Sequence, residues 1–263
     1  MNQFSSLQPI DLSALLPAYH EITLPSNGLF SQDIPQKLNI RGMTVKELKH
    51  LTASGKLDKT IFDSCLSGCI KESIDLSSLI LEDYNYIVYM CRLYSSGPNV
   101  SAIHVCDNPS CRQQFKFSYN ISDCVELELA ENTISKTKIV NLPRFKEAGY
   151  NVNIEVKRLT RKDVITVEKN IKAATELAAK LDQPLNVFPL IELLKSYIVS
   201  ISGFSSPVPK EALLDVLSSE DTELITSAFA DEIFGVKGEA KPVCPICKTE
   251  NTYVVPFTDV FFL

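Results

Sequence analysis

The stretch His104-Val-Cys106-Asp-Asn-Pro-Ser-Cys111 places two cysteines around an Asn-Pro turn, and its counterpart is Val243-Cys244-Pro-Ile-Cys247 near the other end of the chain. A turn of this kind aims two thiolates at one point, and two turns together supply the four sulfurs of a tetrahedral zinc site. Cys106, Cys111, Cys244 and Cys247 are therefore the candidate metal ligands, and the metal they suit is zinc. Each pair adjoins a strand-like segment, the arrangement of a split zinc ribbon that staples shut everything lying between the pairs. Four spacer residues in the first turn are at the upper end of the usual range of about two to four. Glycine often follows the second cysteine of such a turn to reach positive φ, and here Arg112 and Lys248 stand in those places.

Three other uses of the same cysteines stay open at this level. A redox Cys-x-x-Cys needs a helix starting at the motif to lower the thiol pKa, whereas Lys248-Thr-Glu-Asn-Thr-Tyr-Val-Val reads as turn then strand. Disulfides are the second, and unliganded core cysteines the third. His104, which shares a strand face with Cys106, and Cys124 are substitute ligands. Four cysteine ligands leave no position for water or substrate, so such a site is structural and its loss acts through folding.

Working outward, Val100–Val105 and Phe115–Tyr119 read as a hairpin with the first cysteine pair at its tip. Further strands are expected at Val125–Leu129, Lys138–Leu142 and Asn153–Leu159, together a small antiparallel sheet, with a last strand at Thr252–Phe257. Before the hairpin the grain is helical. Thr44-Val-Lys-Glu47 is a capping box opening a helix to about Ala53. Leu57, Ile61, Cys65 and Cys69 share one stripe of a second helix, and Leu76–Tyr94 forms a third, capped by Asp75 or Ser77 and ended by Gly97-Pro98. Cys65, Cys69 and Cys91 are read as core packing. After Thr160-Arg-Lys-Asp163, a second capping-box spacing, helices are expected to Leu181 and at Phe188–Ile201, Lys210–Leu217 and Glu220–Phe234, the last capped by Ser218 or Ser219. Gly235 and Gly238 then read as a release of the chain toward the second cysteine pair. The cations of Lys157-Arg158-Leu-Thr-Arg161-Lys162 read as a solvated strand-to-helix junction in preference to a phosphate contact.

These elements predict an α+β fold: helical bundle portions plus a small antiparallel sheet carrying the split four-cysteine zinc ribbon. Its expected parts are an extended arm (1–40), an N-terminal helical part (41–98), a β-rich part with the first knuckle (99–159), an inserted helical subdomain (160–238), and the second knuckle with a terminal strand (239–263). The arm cannot bury Phe4, Leu7, Ile10, Leu15 and Leu16 by itself, so it lies on its own domain or on a partner.

Composition bounds the function. With 263 residues, 45% of them hydrophobic, the chain has ample apolar content for a core, and no run approaches the roughly 18 apolar residues of a membrane span. A net charge of −6 argues against a general grip on nucleic acid. The amino terminus lacks a basic region followed by an apolar stretch, so no secretory signal and a reducing compartment are expected. The chain has three histidines in dissimilar contexts, and no His-Glu-x-x-His, Gly-x-Ser-x-Gly or phosphate-loop motif is present. A non-enzymatic interaction module without a small-molecule substrate is expected.

Three segments carry a family resemblance: Leu24-Pro25-Ser26-Asn27-Gly28-Leu-Phe30; Leu38-Asn-Ile-Arg41-Gly-Met-Thr44-Val-Lys-Glu-Leu48; and the helix bearing Leu81-Glu-Asp83-Tyr-Asn-Tyr and Arg92-Leu-Tyr94-Ser-Ser-Gly97. In this order, with cysteine pairs following, they resemble the T-even-type baseplate hub subunit family of contractile-tailed phages. The resemblance covers roughly residues 20–119 and the terminal cysteine turn, not the helical insertion at about 160–235. It implies a structural virion protein, assembled in the host cytoplasm and fitted into the tail baseplate against other tail proteins; for the arm, binding in trans and packing on its own domain both stay open. The rivals are a tail-assembly chaperone absent from the finished particle and a zinc-ribbon protein of the transcription or nucleic-acid-processing class. The ribbon tips, Asp107-Asn-Pro-Ser and Pro245-Ile, lack the basic and aromatic residues that nucleic acid favours.

Overall fold

The computed structural model describes residues 17–30, 33–52, 59–131, 134–181 and 188–257. The apolar residues of the arm, Phe4 through Leu16, and Leu57 of the second helix lie outside them. The fold is α+β, as the pattern predicts, and its described hydrophobic residues gather in two large cores and two small ones.

The first core is built on a hairpin. β1 (His20–Thr23) pairs antiparallel with β2 (Lys37–Ile40), and their inward residues Ile22, Leu38 and Ile40 are buried. The turn between them begins at Leu24-Pro25-Ser26-Asn27-Gly28, where Asn27 and Gly28 adopt φ of 51° and 74°. Asn and Gly tolerate that left-handed region best, which is why this tight turn carries them. The segment expected to extend as an arm is thus, from His20 onward, a strand pair sealed into the core.

Three helices close over it: α1 (Val45–Thr52), α2 (Lys59–Gly68) and α3 (Leu81–Ser96). The capping box of α1 forms as expected, with Thr44 N–H donating to Glu47 Oε2 at 2.6 Å and Glu47 N–H to Thr44 Oγ1 at 3.4 Å. Glu47 also pairs with the buried Arg41 guanidinium at 2.7 Å, which holds its carboxyl down at about 2. Cys69 and Cys91 are fully buried in this core and Cys65 packs against it. The third predicted helix is split. A 3₁₀ turn at Leu76–Ser78, capped by Asp75, precedes two extended residues, and α3 starts only at Leu81. Tertiary pairing breaks the helix, because Leu81 N–H donates to Leu159 O at 3.0 Å and Arg161 N–H to Leu79 O at 2.8 Å. Gly97, at φ 72°, ends α3 where expected.

The hairpin β3 (Asn99–Val105) and β4 (Gln114–Asn120) follows, then a short helix α4 (Ile121–Cys124) and β5 (Val125–Glu128). The second core lies beyond. Its sheet has the order β6-β7-β8, from β6 (Thr137–Asn141), β7 (Asn153–Lys157) and β8 (Ile198–Ser202). Around it stand α5 (Pro143–Glu147), α6 (Arg161–Leu181), α7 (Pro189–Tyr197), α8 (Lys210–Leu214) and α9 (Ser219–Thr226). Ile154, Val156, Leu194, Ile198 and Ile225 fill its centre. The helix expected at Phe188–Ile201 stops at Tyr197, and its end becomes β8 because Ile198 and Ile201 register against Val156 and Ile154. The helix expected at Glu220–Phe234 is shorter, ending at Thr226.

The cation run 157–162 is not a solvated junction. Arg158 and Arg161 are buried. Arg158 donates to Glu82 Oε1 at 2.9 Å and to the carbonyl and carboxylate of Glu232, with Phe229 and Phe234 stacked at 4.5 and 4.6 Å. Arg161 forks onto Asp63, and Lys157 onto Asp163. Planar guanidinium groups satisfy two acceptors at once, so they serve as bolts between the strand end and the first core's helices. The chain then leaves through β9 (Gly235–Ala240), which lies between β5 and β10 (Tyr253–Val254) in a second three-stranded sheet. The expected release at Gly235 and Gly238 is instead this strand. Gly235 sits against the Glu82 side chain and Gly238 against Val255 and Phe257, so the glycines mark close approach inside a strand.

Candidate metal centre

The hairpin β3–β4 projects the first knuckle, and the segment joining β9 to β10 projects the second. Their four sulfurs, from Cys106, Cys111, Cys244 and Cys247, all lie within 4.8 Å of one another. Cys106 Sγ is 3.5 Å from Cys247 Sγ, and Cys111 Sγ is 3.9 Å from Cys244 Sγ. A tetrahedron of sulfurs at about 2.3 Å from zinc has edges of about 3.8 Å. The closest pairs match that edge. They also exceed the roughly 2.05 Å of a disulfide, and all four cysteines are free. No helix starts at Cys244-Pro-Ile-Cys247, which lies in a turn leading to the Val243–Glu250 bridge and β10, so the redox geometry is absent from this motif.

Both knuckles use left-handed backbone without glycine. Arg112 stands at φ 47° and Lys248 at φ 62°, the two positions where the sequence departs from the usual pattern. The departure is in residue type alone; the turn conformation is kept at a cost of about 1–2 kcal/mol each. Cys111 N–H and Arg112 N–H both donate to Asn108 O, and Lys248 N–H donates to Cys244 O at 3.0 Å.

The electrostatics ask for a cation. Burial, the largest influence, pushes Cys106 up to about 12. The Thr249 hydroxyl and then its backbone N–H pull Cys247 down to about 6. One thiolate forms readily here, whereas several within 4.8 Å repel one another unless a dication sits between them. The donor set and its spacing fit zinc.

Polar residues that sequence reasoning missed sew the knuckles together. Asp107 N–H donates to Asn251 Oδ1 at 2.6 Å, Thr252 N–H to Asp107 Oδ2 at 3.1 Å, and Asn108 Nδ2 to Thr249 Oγ1 at 3.2 Å. Asn251, 2% exposed, also donates to the carbonyls of Pro242 and Thr249. Their only signal in the sequence is that short Asx and Thr side chains flank each pair. The substitute ligands fall outside the cluster: His104 Nε2 is 3.3 Å from Asp107 Oδ1, and Cys124 Sγ donates to Asn120 O at 2.9 Å. His104 instead joins Phe115, Phe117, Tyr119 and Tyr253 in an aromatic layer beneath the site.

The three resembling segments also meet in space, Met43 N–H donating to Ser95 Oγ at 2.7 Å. Ser26 N–H, in the Leu-Pro-Ser-Asn-Gly turn, donates to Asp83 Oδ1 at 2.9 Å, and Ala130 N–H donates to Pro25 O at 2.7 Å. Asp83 is 3% exposed and forms no salt bridge among the described residues. Burial raises its carboxyl to about 6 against the lowering hydrogen bonds from Ser26.

The family model described as T4 bacteriophage base plate protein matches residues 17–263. No curated protein matches, and no solved structure matches.

Proposed function

The chain belongs to the T4 bacteriophage base plate protein family and is a structural component of the phage tail baseplate; from that premise we propose that it acts in the baseplate hub, holding other tail proteins around a fold stapled by structural zinc. The observation that carries the zinc is the convergence, within 4.8 Å, of sulfurs from turns 133 positions apart in sequence (Cys111 to Cys244). Cys106, Cys111, Cys244 and Cys247 hold the ion, which supplies no chemistry beyond cross-linking, because four sulfurs close its coordination. On this reading the residues that precede β1 bind a neighbour in trans. The helical part (41–98), the β-rich part (99–159) and the inserted part (160–238) present the surfaces for neighbours. The last part (239–263) returns the chain to the first knuckle. Assembly takes place in the host cytoplasm.

The pairing of Lys157, Arg158 and Arg161 with carboxylates supports partners other than nucleic acid, since those cations are already used. A salt-dependent DNA titration is expected to show no appreciable affinity. Mass spectrometry of purified virions tests the assignment itself: the protein is expected in the particle, and its absence would make it an assembly chaperone.

A further inference from the structure

Among the described residues the strands protect their edges, with one exception. β2 is covered by the Ile40–Ile70 bridge and by Lys71 N–H donating to Asn39 O, and β1 carries the Glu21–Lys37 pair. β5 carries Glu126 and Glu128, β6 carries Lys138, and β10 is two residues long. β8 is uncharged, but the sheet is bulged beside it and Lys210 Nζ caps its Ile198 carbonyl. These are the devices by which soluble sheets avoid pairing with other chains. β3, Asn-Val-Ser-Ala-Ile-His-Val, has none of them: seven residues without Lys, Arg, Asp, Glu, Pro or Gly, in unbroken register with β4.

The ladder fixes which groups face outward. Cys106 N–H donates to Gln113 O, so bonded pairs alternate from there and the main-chain groups of Ser101, Ile103 and Val105 turn away from β4. Among the described residues nothing bonds to them. Their side chains form the outer face of the hairpin, with Ile103 61% and Val105 48% exposed, while His104, Phe115 and Phe117 occupy the inner face.

We infer that β3 is a self-association edge, pairing antiparallel with β3 of a second copy about a two-fold axis at Ile103 to give a continuous four-stranded sheet. In that register Ile103 meets its own copy and Ser101 meets Val105, with about six main-chain hydrogen bonds. No charge is opposed to its like. β4 cannot serve in the same way, because its outward row centres on Lys116, which would face another Lys116. An isologous contact also accounts for the absence of edge protection, since the partner surface is the same strand.

Sedimentation equilibrium of the purified full chain from about 1 µM to about 1 mM tests this. A monomer–dimer equilibrium is expected. Ile103→Pro and Ser101→Pro each remove an outward N–H that β4 does not use, the first of them on the axis itself, so each is expected to weaken dimerisation at least about tenfold with unchanged circular dichroism. A wild-type chain that stays monomeric throughout would overturn the inference, as would a dimer whose dissociation constant neither variant changes. Association of this edge only with another tail protein would overturn it as well.

Discussion

Replacing Asp83 by Asn isolates the cost of burying a carboxylate beneath the Leu-Pro-Ser-Asn-Gly turn. Asp83 is 3% exposed, accepts Ser26 N–H at 2.9 Å, and titrates in the folded protein at about 6 against an ordinary 3.8. Well below pH 3.8 the carboxyl is protonated in both folded and unfolded chains, and it contributes no pH dependence. Between about 4 and 6 the unfolded chain ionises while the folded one retains its proton, so stability falls as pH rises. Above about 6 the loss is complete, and at about 1.4 kcal/mol per pH unit it amounts to about 3 kcal/mol. The asparagine of Asp83→Asn keeps an acceptor for Ser26 and has no ionised form. Urea unfolding followed by circular dichroism, from about pH 3.5 to pH 8, measures the difference between the two proteins. Any intrinsic cost of the amide appears as a constant offset at the acidic end, and titration of the cysteine cluster is common to both and cancels. The stability of Asp83→Asn relative to wild type is expected to rise by about 3 kcal/mol between about pH 3.5 and pH 8. A difference that stays flat across that window, or that grows toward acid, would refute the assignment of Asp83 as a buried carboxylate with no salt bridge among the described residues.

Removing the Arg158 bolt by Arg158→Ala leaves Glu82 and Glu232 without their guanidinium and empties the space beside Phe229 and Phe234, so a loss of about 3–5 kcal/mol is expected in denaturant unfolding, with Arg158→Lys intermediate. The left-handed knuckle residues give the opposite sign. Arg112→Gly and Lys248→Gly each relieve about 1–2 kcal/mol of backbone strain and forfeit up to about 1 kcal/mol of chain entropy, for an expected net gain of about 0.5–1 kcal/mol seen as a raised Tm. A lowered Tm in both would show that the side chains of Arg112 and Lys248 hold the turns.

Where local chemistry decides the outcome, the sequence was legible. The Thr44–Glu47 box, the Thr160–Asp163 box and the Ser218 cap all form with the hydrogen bonds their spacing implies. The cysteine pairs are legible because each turn is local, and their meeting follows from there being two. Distant pairing was not legible. Ile198-Val-Ser-Ile continues a helical period, and only the presence of β7 makes it a strand; Leu79-Ile80 leaves its helix to bridge Thr160 for the same reason. β9 was hidden by its glycines, whose purpose is the approach of Glu82, Val255 and Phe257 from elsewhere in the chain. The burial of Arg158 and Arg161 was likewise invisible, because Glu82, Glu232 and Asp63 lie 76, 74 and 98 positions away in sequence.

The central claim is that a metal joins Cys106 and Cys111 to Cys244 and Cys247. Zinc content of the purified protein, measured beside Cys244→Ser, tests it most directly. About one zinc per chain is expected in the wild type, with its loss and accompanying unfolding in the variant. Zinc near zero in both, with folding unchanged, would contradict it.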